Sequence, residues 1–127
     1  MTTTARLKVK GIDHVVLHVR DLTRARSFYM DVLGFEVAHE SGWQSFLRCG
    51  SQQVALFQVR DGGGEIHAGS EMNHMALRLE SGGYEEVKAT LEAAGCAVHG
   101  RPGDDRCLYF DDPDGHHLQV LTPAEQQ

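Results

Sequence analysis

The sequence predicts an α+β fold made of two βαβββ modules. Three observations lead there. Short apolar, β-branched runs are interrupted by two amphipathic stretches of helical period. The order strand, helix, strand, strand, strand occurs twice along the 127 residues. Residues of the two halves also match by simple subtraction. His14-Val15-Val16-Leu17 falls on His74-Met75-Ala76-Leu77 at an offset of 60, and Gly34-Phe35-Glu36-Val37 falls on Gly95-Cys96-Ala97-Val98 at 61. Phe57-Gln58-Val59 falls on Leu118-Gln119-Val120, again at 61. One matched pair is chance; matched positions in the same order, on matching elements, point to internal duplication.

Each element has its own local reason. "IDHVVLHV" (12–19) is β-branched and apolar, which suits a strand. In "RDLTRARSFYMDVLGF", Leu22, Ala25, Tyr29, Val32 and Leu33 recur at helical spacing, with Asp21 placed to cap the start and Gly34 to end it. "FEVAHE" (35–40), "WQSFLRC" (43–49) and "QVALFQV" (53–59) read as three strands. "RDGGGEIHAGSE" (60–71) is polar and glycine-rich, hence a loop. "NHMALRLE" (73–80) opens the second round. "YEEVKATLEAAG" (84–95) follows as a helix with Tyr84, Val87, Leu91 and Ala94 on one face. "CAVHG", "RCLYFDD" and "HHLQVLT" complete it as strands, and "DPDG" (112–115) fits a tight turn before the last. The expectation is one domain: module 1 over about 11–60, a linker over about 61–71 and module 2 over about 72–123.

Composition narrows the function classes. At 41% hydrophobic residues the chain can bury a core. A net charge of −6 without a basic run argues against nucleic acid or an anionic membrane as partner. "MTTTARLKVK" is polar and lacks the apolar centre of a secretory signal, and no apolar run approaches the roughly 20 residues of a membrane span. Cys49, Cys96 and Cys107 are an odd count without C-x-x-C spacing, as expected of reduced thiols in a cytoplasmic protein.

The repeat picks out four polar side chains. His14 and His74 lie in the first strand of each half, Gln58 and Gln119 in the last. Matched positions fall on matched faces, so packing the two concave faces together would let all four converge. Two imidazoles plus oxygen donors can hold a divalent ion with positions open for substrate. A lone strand histidine is more often a hydrogen-bonded structural residue; the equivalence of two raises the ligand reading. His117 shares the face of Gln119 and could be a ligand, base or supporting group, although a solvated histidine at a strand end is commoner, and the repeat points away from His116 and His117 as main ligands. His116 should point the other way, toward solvent. His18 shares the face of His14. Trp43 and Phe46 could wall a cavity, although core packing is the default for both. Arg101 and Arg106 could meet an anionic substrate, although solvation is commoner. No cysteine has a neighbouring base in sequence, so nucleophilic catalysis lacks support.

"IDHVVLHVRDLTRARSFYMDVLGFEV" and "CLYFDDPDGHHLQVL" resemble the opening and closing motifs of the vicinal oxygen chelate superfamily, the group of glyoxalases, bleomycin-resistance proteins and extradiol dioxygenases. The resemblance covers roughly residues 10 to 123. It implies a single glyoxalase-like domain whose paired modules form an open, U-shaped, eight-stranded sheet around a cavity. It also implies a divalent metal (Fe, Mn, Ni or Zn), a small-molecule substrate and a homodimer. His14 and His74 match the family's histidine ligands. Gln119 falls where most metal-dependent members have glutamate, and Gln58 where members differ. Tyr109 is similar to a site tyrosine of the fosfomycin-resistance enzymes, and with His117 it is a candidate catalytic residue. The Lys- and Ser-rich loop of those enzymes is not evident in "HGRPGDDRC", which counts against that branch.

The glutamine has a physical cost. An amide is neutral and no base near pH 7, so a His14/Gln58/His74/Gln119 site leaves the metal charge uncompensated. Metal binding should be weaker than with a glutamate, or completed by an anionic substrate, and proton transfer by a metal-bound carboxylate, or extradiol cleavage on a two-histidine, one-carboxylate iron, is disfavoured. Two functions remain: a metalloenzyme stabilising an oxyanion as a Lewis acid, or a binding protein of the bleomycin-resistance kind that holds a drug or metabolite.

Overall fold

The computed structural model describes residues 6–60, 66 and 72–123. Nearly all of the expected linker, 61–71, lies outside the described residues. Among the described residues, eight strands form two four-stranded sheets, in the orders β1-β4-β3-β2 and β5-β8-β7-β6. In module 1 these are β1 (His14–Val19), β2 (Glu36–Ser41), β3 (Gln44–Cys49) and β4 (Gln52–Gln58). In module 2 they are β5 (Met75–Arg78), β6 (His99–Arg101), β7 (Asp104–Asp111) and β8 (His117–Leu121). The first strand of each module pairs in parallel with the last, and the hairpins between are antiparallel. A parallel pair needs a crossover, which the helices supply: α1 (Leu22–Ser27) and α2 (Tyr84–Ala93). No helix among the described residues is long and apolar enough to cross a membrane.

Helix α1 starts as its residues dictate, with the Asp21 carboxylate accepting from the Arg24 N–H at 3.1 Å. It then widens into one π-helical turn, Phe28–Val32, where the Leu33 N–H reaches back to the Phe28 carbonyl. Phe28 and Tyr29 are both buried there. Gly34 and Gly95, matched in the repeat, both adopt positive φ (76° and 92°) where the chain leaves the helix.

The core lies between the sheets and the helices. Leu17, Val19, Leu47, Val54 and Leu56 of the first sheet, Leu108, Phe110, Leu118 and Val120 of the second, and Phe28, Tyr29 and Leu91 form one cluster. Each such side chain contributes on the order of 1.5–3 kcal/mol of transfer free energy. Alternation then puts the neighbouring residues on the opposite face of each sheet: Leu17 and Val19 are buried, whereas His14 and Val16 are exposed.

The "DPDGH" turn ties the second module to the first. Asp112 is buried; its Oδ1 accepts from the Asp114 and His116 N–H groups, and its Oδ2 accepts from the Tyr29 hydroxyl at 2.7 Å. Buried Asp114 accepts from the Arg20 N–H at 2.9 Å and meets the Arg20 and Arg24 guanidinium groups. His116 is 3% exposed, and its Nε2 donates to the His18 carbonyl oxygen at 2.8 Å. The expectation that His116 faces solvent is therefore corrected. β8 begins only at His117, so strand alternation does not reach residue 116, and the ring is free to cross to β1. The turn fixes the ends of β7 and β8, where the candidate site residues sit.

Candidate functional site

Strand pairing revises the repeat. Val16 and Ala76 are repeat partners; Val16 pairs with Ala55 and Ala76 with Gln119. The counterpart of Gln119 is therefore Ala55, an offset of 64 (119 minus 55), and not Gln58. Gln58 pairs with Val19, at the far end of β1 from His14, whose own partner is Gln53. The Gln58 amide oxygen accepts from the Leu22 N–H at 2.8 Å, one of the donors that a helix start leaves without an internal partner. The structure thus places Gln58 apart from His14, with its amide oxygen on the first turn of α1.

The same pairing exposes equivalences that subtraction missed. On the open face of module 1, the Phe46 ring lies between two histidines, 5.3 Å from His14 and 6.1 Å from His39 by centroid. On module 2, Tyr109 lies between His74 at 6.2 Å and His99 at 5.4 Å. Phe46 pairs with Ala55 and Tyr109 with Gln119, so these rings are partners in the repeat.

The site histidines are held in a common way. His14 Nδ1 lies 2.8 Å from an Asp13 carboxylate oxygen, and His74 Nδ1 lies 2.9 Å from the Asn73 amide oxygen. Asp13 and Asn73 are themselves repeat partners. His117 Nδ1 lies 2.7 Å from the Asp111 carboxylate. In each case an oxygen acceptor fixes the ring through Nδ1 and leaves Nε2 as the outward nitrogen, the arrangement typical of metal-binding imidazoles. The residue types and their supports therefore fit a divalent ion. His74, His117 and Tyr109 line a cavity of about 180 Å³ on the module 2 face. A cleft of about 400 Å³ adjoins this cavity, sharing His99, Phe110 and Asp111 with it, and one of about 410 Å³ lies elsewhere; neither includes His14, His74 or Gln119.

Gln119 is 7% exposed, and its Nε2 donates to Cys107 Sγ at 2.7 Å. Its carbonyl oxygen, the only atom through which an amide coordinates, is the end left for a ligand. Hydrogen bonding toward Cys107 pushes the Tyr109 phenol above its usual range, so it stays protonated as a donor. The Arg101 Nη1 donates to the Tyr109 oxygen at 3.4 Å, and Arg101 pairs with Asp104 at 3.0 Å. Arg106 is turned back to the Thr122 carbonyl oxygen. Trp43 and Phe46 meet Phe57 edge-on, at 5.1 and 5.9 Å, so both face the open side of module 1 and not the core. Burial pushes the Cys49 and Cys96 thiols up, which makes them poorer nucleophiles.

His14 and His74 occupy the open faces of different sheets. Among the described residues no three His, Cys, Asp or Glu side chains come together as a metal site within the single chain. The sequence reading missed Asp13, Asn73 and Asp111, although the first two stand beside the repeat histidines at the same offset of 60.

The sequence model of the Glyoxalase/Bleomycin resistance protein/Dioxygenase superfamily matches residues 11–120. The chain belongs to this superfamily. Among its relatives is the metallothiol transferase FosB of Staphylococcus saprophyticus, 30% identical over 123 residues, which span 93% of this chain and 80% of that protein. The glutathione transferase FosA of Serratia marcescens is 26% identical over 113 residues, 88% of this chain and 80% of that one. Among solved structures, the fosfomycin resistance protein FosX of Mesorhizobium loti superposes with a TM-score of 0.73 at 25% identity, covering 92% of this chain and 95% of the other. The superfamily's fosfomycin-resistance members are therefore nearer to this chain than the "HGRPGDDRC" loop suggested. That loop is here the β6–β7 hairpin, closed by the Arg101–Asp104 pair.

Proposed function

We propose that the chain is a divalent-metal-dependent enzyme acting on a small, oxygen-rich substrate, with each site assembled from two copies of the chain. His14 of one copy and His74 of the other would hold the ion through Nε2, with the Gln119 amide oxygen beside them. The observation that carries this reading is the matched support of the two rings, Nδ1 on Asp13 and Nδ1 on Asn73 at equivalent positions. The name of the S. saprophyticus relative, a metallothiol transferase, agrees with it. A homodimer is supported by the exposed apolar row Leu7 (92%), Val9 (84%), Ile12 (60%) and Val16 (38%), which runs into edge strand β1 and needs cover.

When bound, the ion supplies Lewis acidity toward a substrate oxygen. The chain's own residues do the rest. Tyr109 donates a hydrogen bond from its hydroxyl to the developing negative charge. Phe46, Phe57 and Trp43 present an apolar wall that keeps water from the metal side of the substrate. Gln119 adds no charge, so an anionic substrate completes the charge balance. Fe, Mn, Ni and Zn are the ions to test. Metal content of protein purified without added metal, followed by assay of fosfomycin with glutathione or cysteine, tests the reading. Metal near one per chain, lost in His14→Ala and in His74→Ala, is the expected result. No metal, and no binding of any of the four ions, would sink it.

A second reading has one observation in its favour. The neutral Gln119, with its amide nitrogen on Cys107, suits a binding protein of the bleomycin-resistance kind, which holds a ligand without obligatory metal. Ligand binding that metal chelation leaves unchanged would favour it.

A further inference from the structure

We infer that His117 is itself a metal ligand of this chain, making the site a three-imidazole one. The inference rests on the metal reading above and sharpens its ligand set. Met75 pairs with Leu118 in the parallel β5–β8 ladder, so His74 and His117 stand side by side just before the first pair. Leu118 is fully buried and Met75 packs against the core, which turns both histidines to the open face. Adjacent strands lie about 4.8 Å apart, close enough for two imidazoles on one face to meet a single ion. Both rings border the same cavity. His117 is supported as His14 is, by a carboxylate, with Nδ1 2.7 Å from Asp111 and its side chain half exposed. Asp111 pairs with His117 across β7 and β8, so that ladder holds carboxylate and imidazole side by side. An anionic carboxylate on Nδ1 makes Nε2 a better donor than an amide partner does.

The repeat shows why this belongs to module 2 alone. The counterpart of His117 in module 1 is Gln53, the strand partner of His14, and the counterpart of Gln119 is Ala55. Module 1 can bring one imidazole, His14; module 2 brings His74 and His117. With His14 of the partner subunit the ion would have three nitrogen donors. Such a set favours Ni²⁺, Cu²⁺ or Zn²⁺ over Mn²⁺, which prefers oxygen. Gln119, one pleat further along β8, is then the weak fourth neighbour.

The test uses Cu²⁺ as probe. Pulsed electron paramagnetic resonance of the full chain loaded with Cu²⁺ counts the coordinated imidazoles, and calorimetry gives the Ni²⁺ affinity. His117→Ala should lose one imidazole and weaken Ni²⁺ by roughly 100-fold, and Asp111→Asn should keep the count and weaken Ni²⁺ by roughly tenfold. Gln119→Ala should leave the count unchanged. His117 lies on the open face, so an unaltered thermal transition of His117→Ala is expected. An unchanged imidazole count in His117→Ala overturns the inference while leaving the His14/His74 reading intact. Wild-type protein that binds neither ion overturns both.

Discussion

The two modules share a backbone plan and differ in what their open faces offer. Module 1 presents His14, Phe46 and His39 with Gln53, Ala55 and Phe57 beside them, and the Arg60 guanidinium lies 4.6 Å over the Trp43 ring. Module 2 presents His74, Tyr109 and His99 with His117, Gln119 and Leu121 at the corresponding places. Where the first has Phe, Gln and Ala, the second has Tyr, His and Gln. Duplication kept the frame, the histidine at the beginning of each edge strand and its Nδ1 support. Divergence then made one face an apolar wall and the other a donor cluster. A substrate held between such faces would meet polar chemistry on one side and an aromatic surface on the other.

The two modules depend on each other where they join. Asp112→Ala leaves the Asp114 and His116 N–H groups and the Tyr29 hydroxyl without their acceptor. The expected cost is about 3 kcal/mol, read as a lower urea midpoint. The donor side can be sharpened with Gln119→Glu, which adds the missing charge. Ni²⁺ or Zn²⁺ affinity should rise by about tenfold, or 1.4 kcal/mol, in calorimetry; no change would place Gln119 outside the metal's reach. On module 1, Gln58→Ala should cost about 1 kcal/mol of stability through the start of α1 and leave metal affinity unaltered. A loss of metal binding there would restore Gln58 to the site and undo the revised equivalence.

The smallest effect is a pH slope. Burial pushes the Asp112 carboxyl above the usual carboxylate range. The folded chain therefore holds that proton more tightly than the unfolded chain. Its contribution to stability is present at low pH and is lost as pH rises from about 3.9 through the raised folded-state value. Asp112→Asn keeps the Oδ1 acceptor and removes the titration. Its unfolding free energy should vary less with pH over that window, as chemical denaturation at several pH values would show.

Local structure was legible because local chemistry decides it. The Asp21 cap, the glycines after each helix and the DPDG turn need only their own neighbours. The duplication was legible too, through His14 and His74. Its register in the last strands was not. The β2–β3 and β6–β7 hairpins close on turns of equal length, Ser41 opposite Gln44 and Arg101 opposite Asp104, but His39 pairs with Phe46 and His99 with Tyr109, so β7 carries three extra residues between the turn and Tyr109, where the pairing is irregular. The β7–β8 turn adds one more, since Tyr109 pairs with Gln119 where Phe46 pairs with Ala55. A constant offset of 61 therefore matched Gln58 to Gln119 on a shared letter, three places out of register. His116 was misplaced for a related reason, because its position depends on a contact with His18, 98 residues away.

A shared site needs His14 from one copy and His74 from another, a requirement that mixing two inactive variants probes. His14→Ala and His74→Ala proteins, each unable to bind Ni²⁺ alone, should regain Ni²⁺ binding when unfolded together and refolded, because the mixed dimer pairs the intact His14 of one chain with the intact His74 of the other. If the mixture stays as metal-free as its components, while each variant folds and dimerises, the shared site is contradicted.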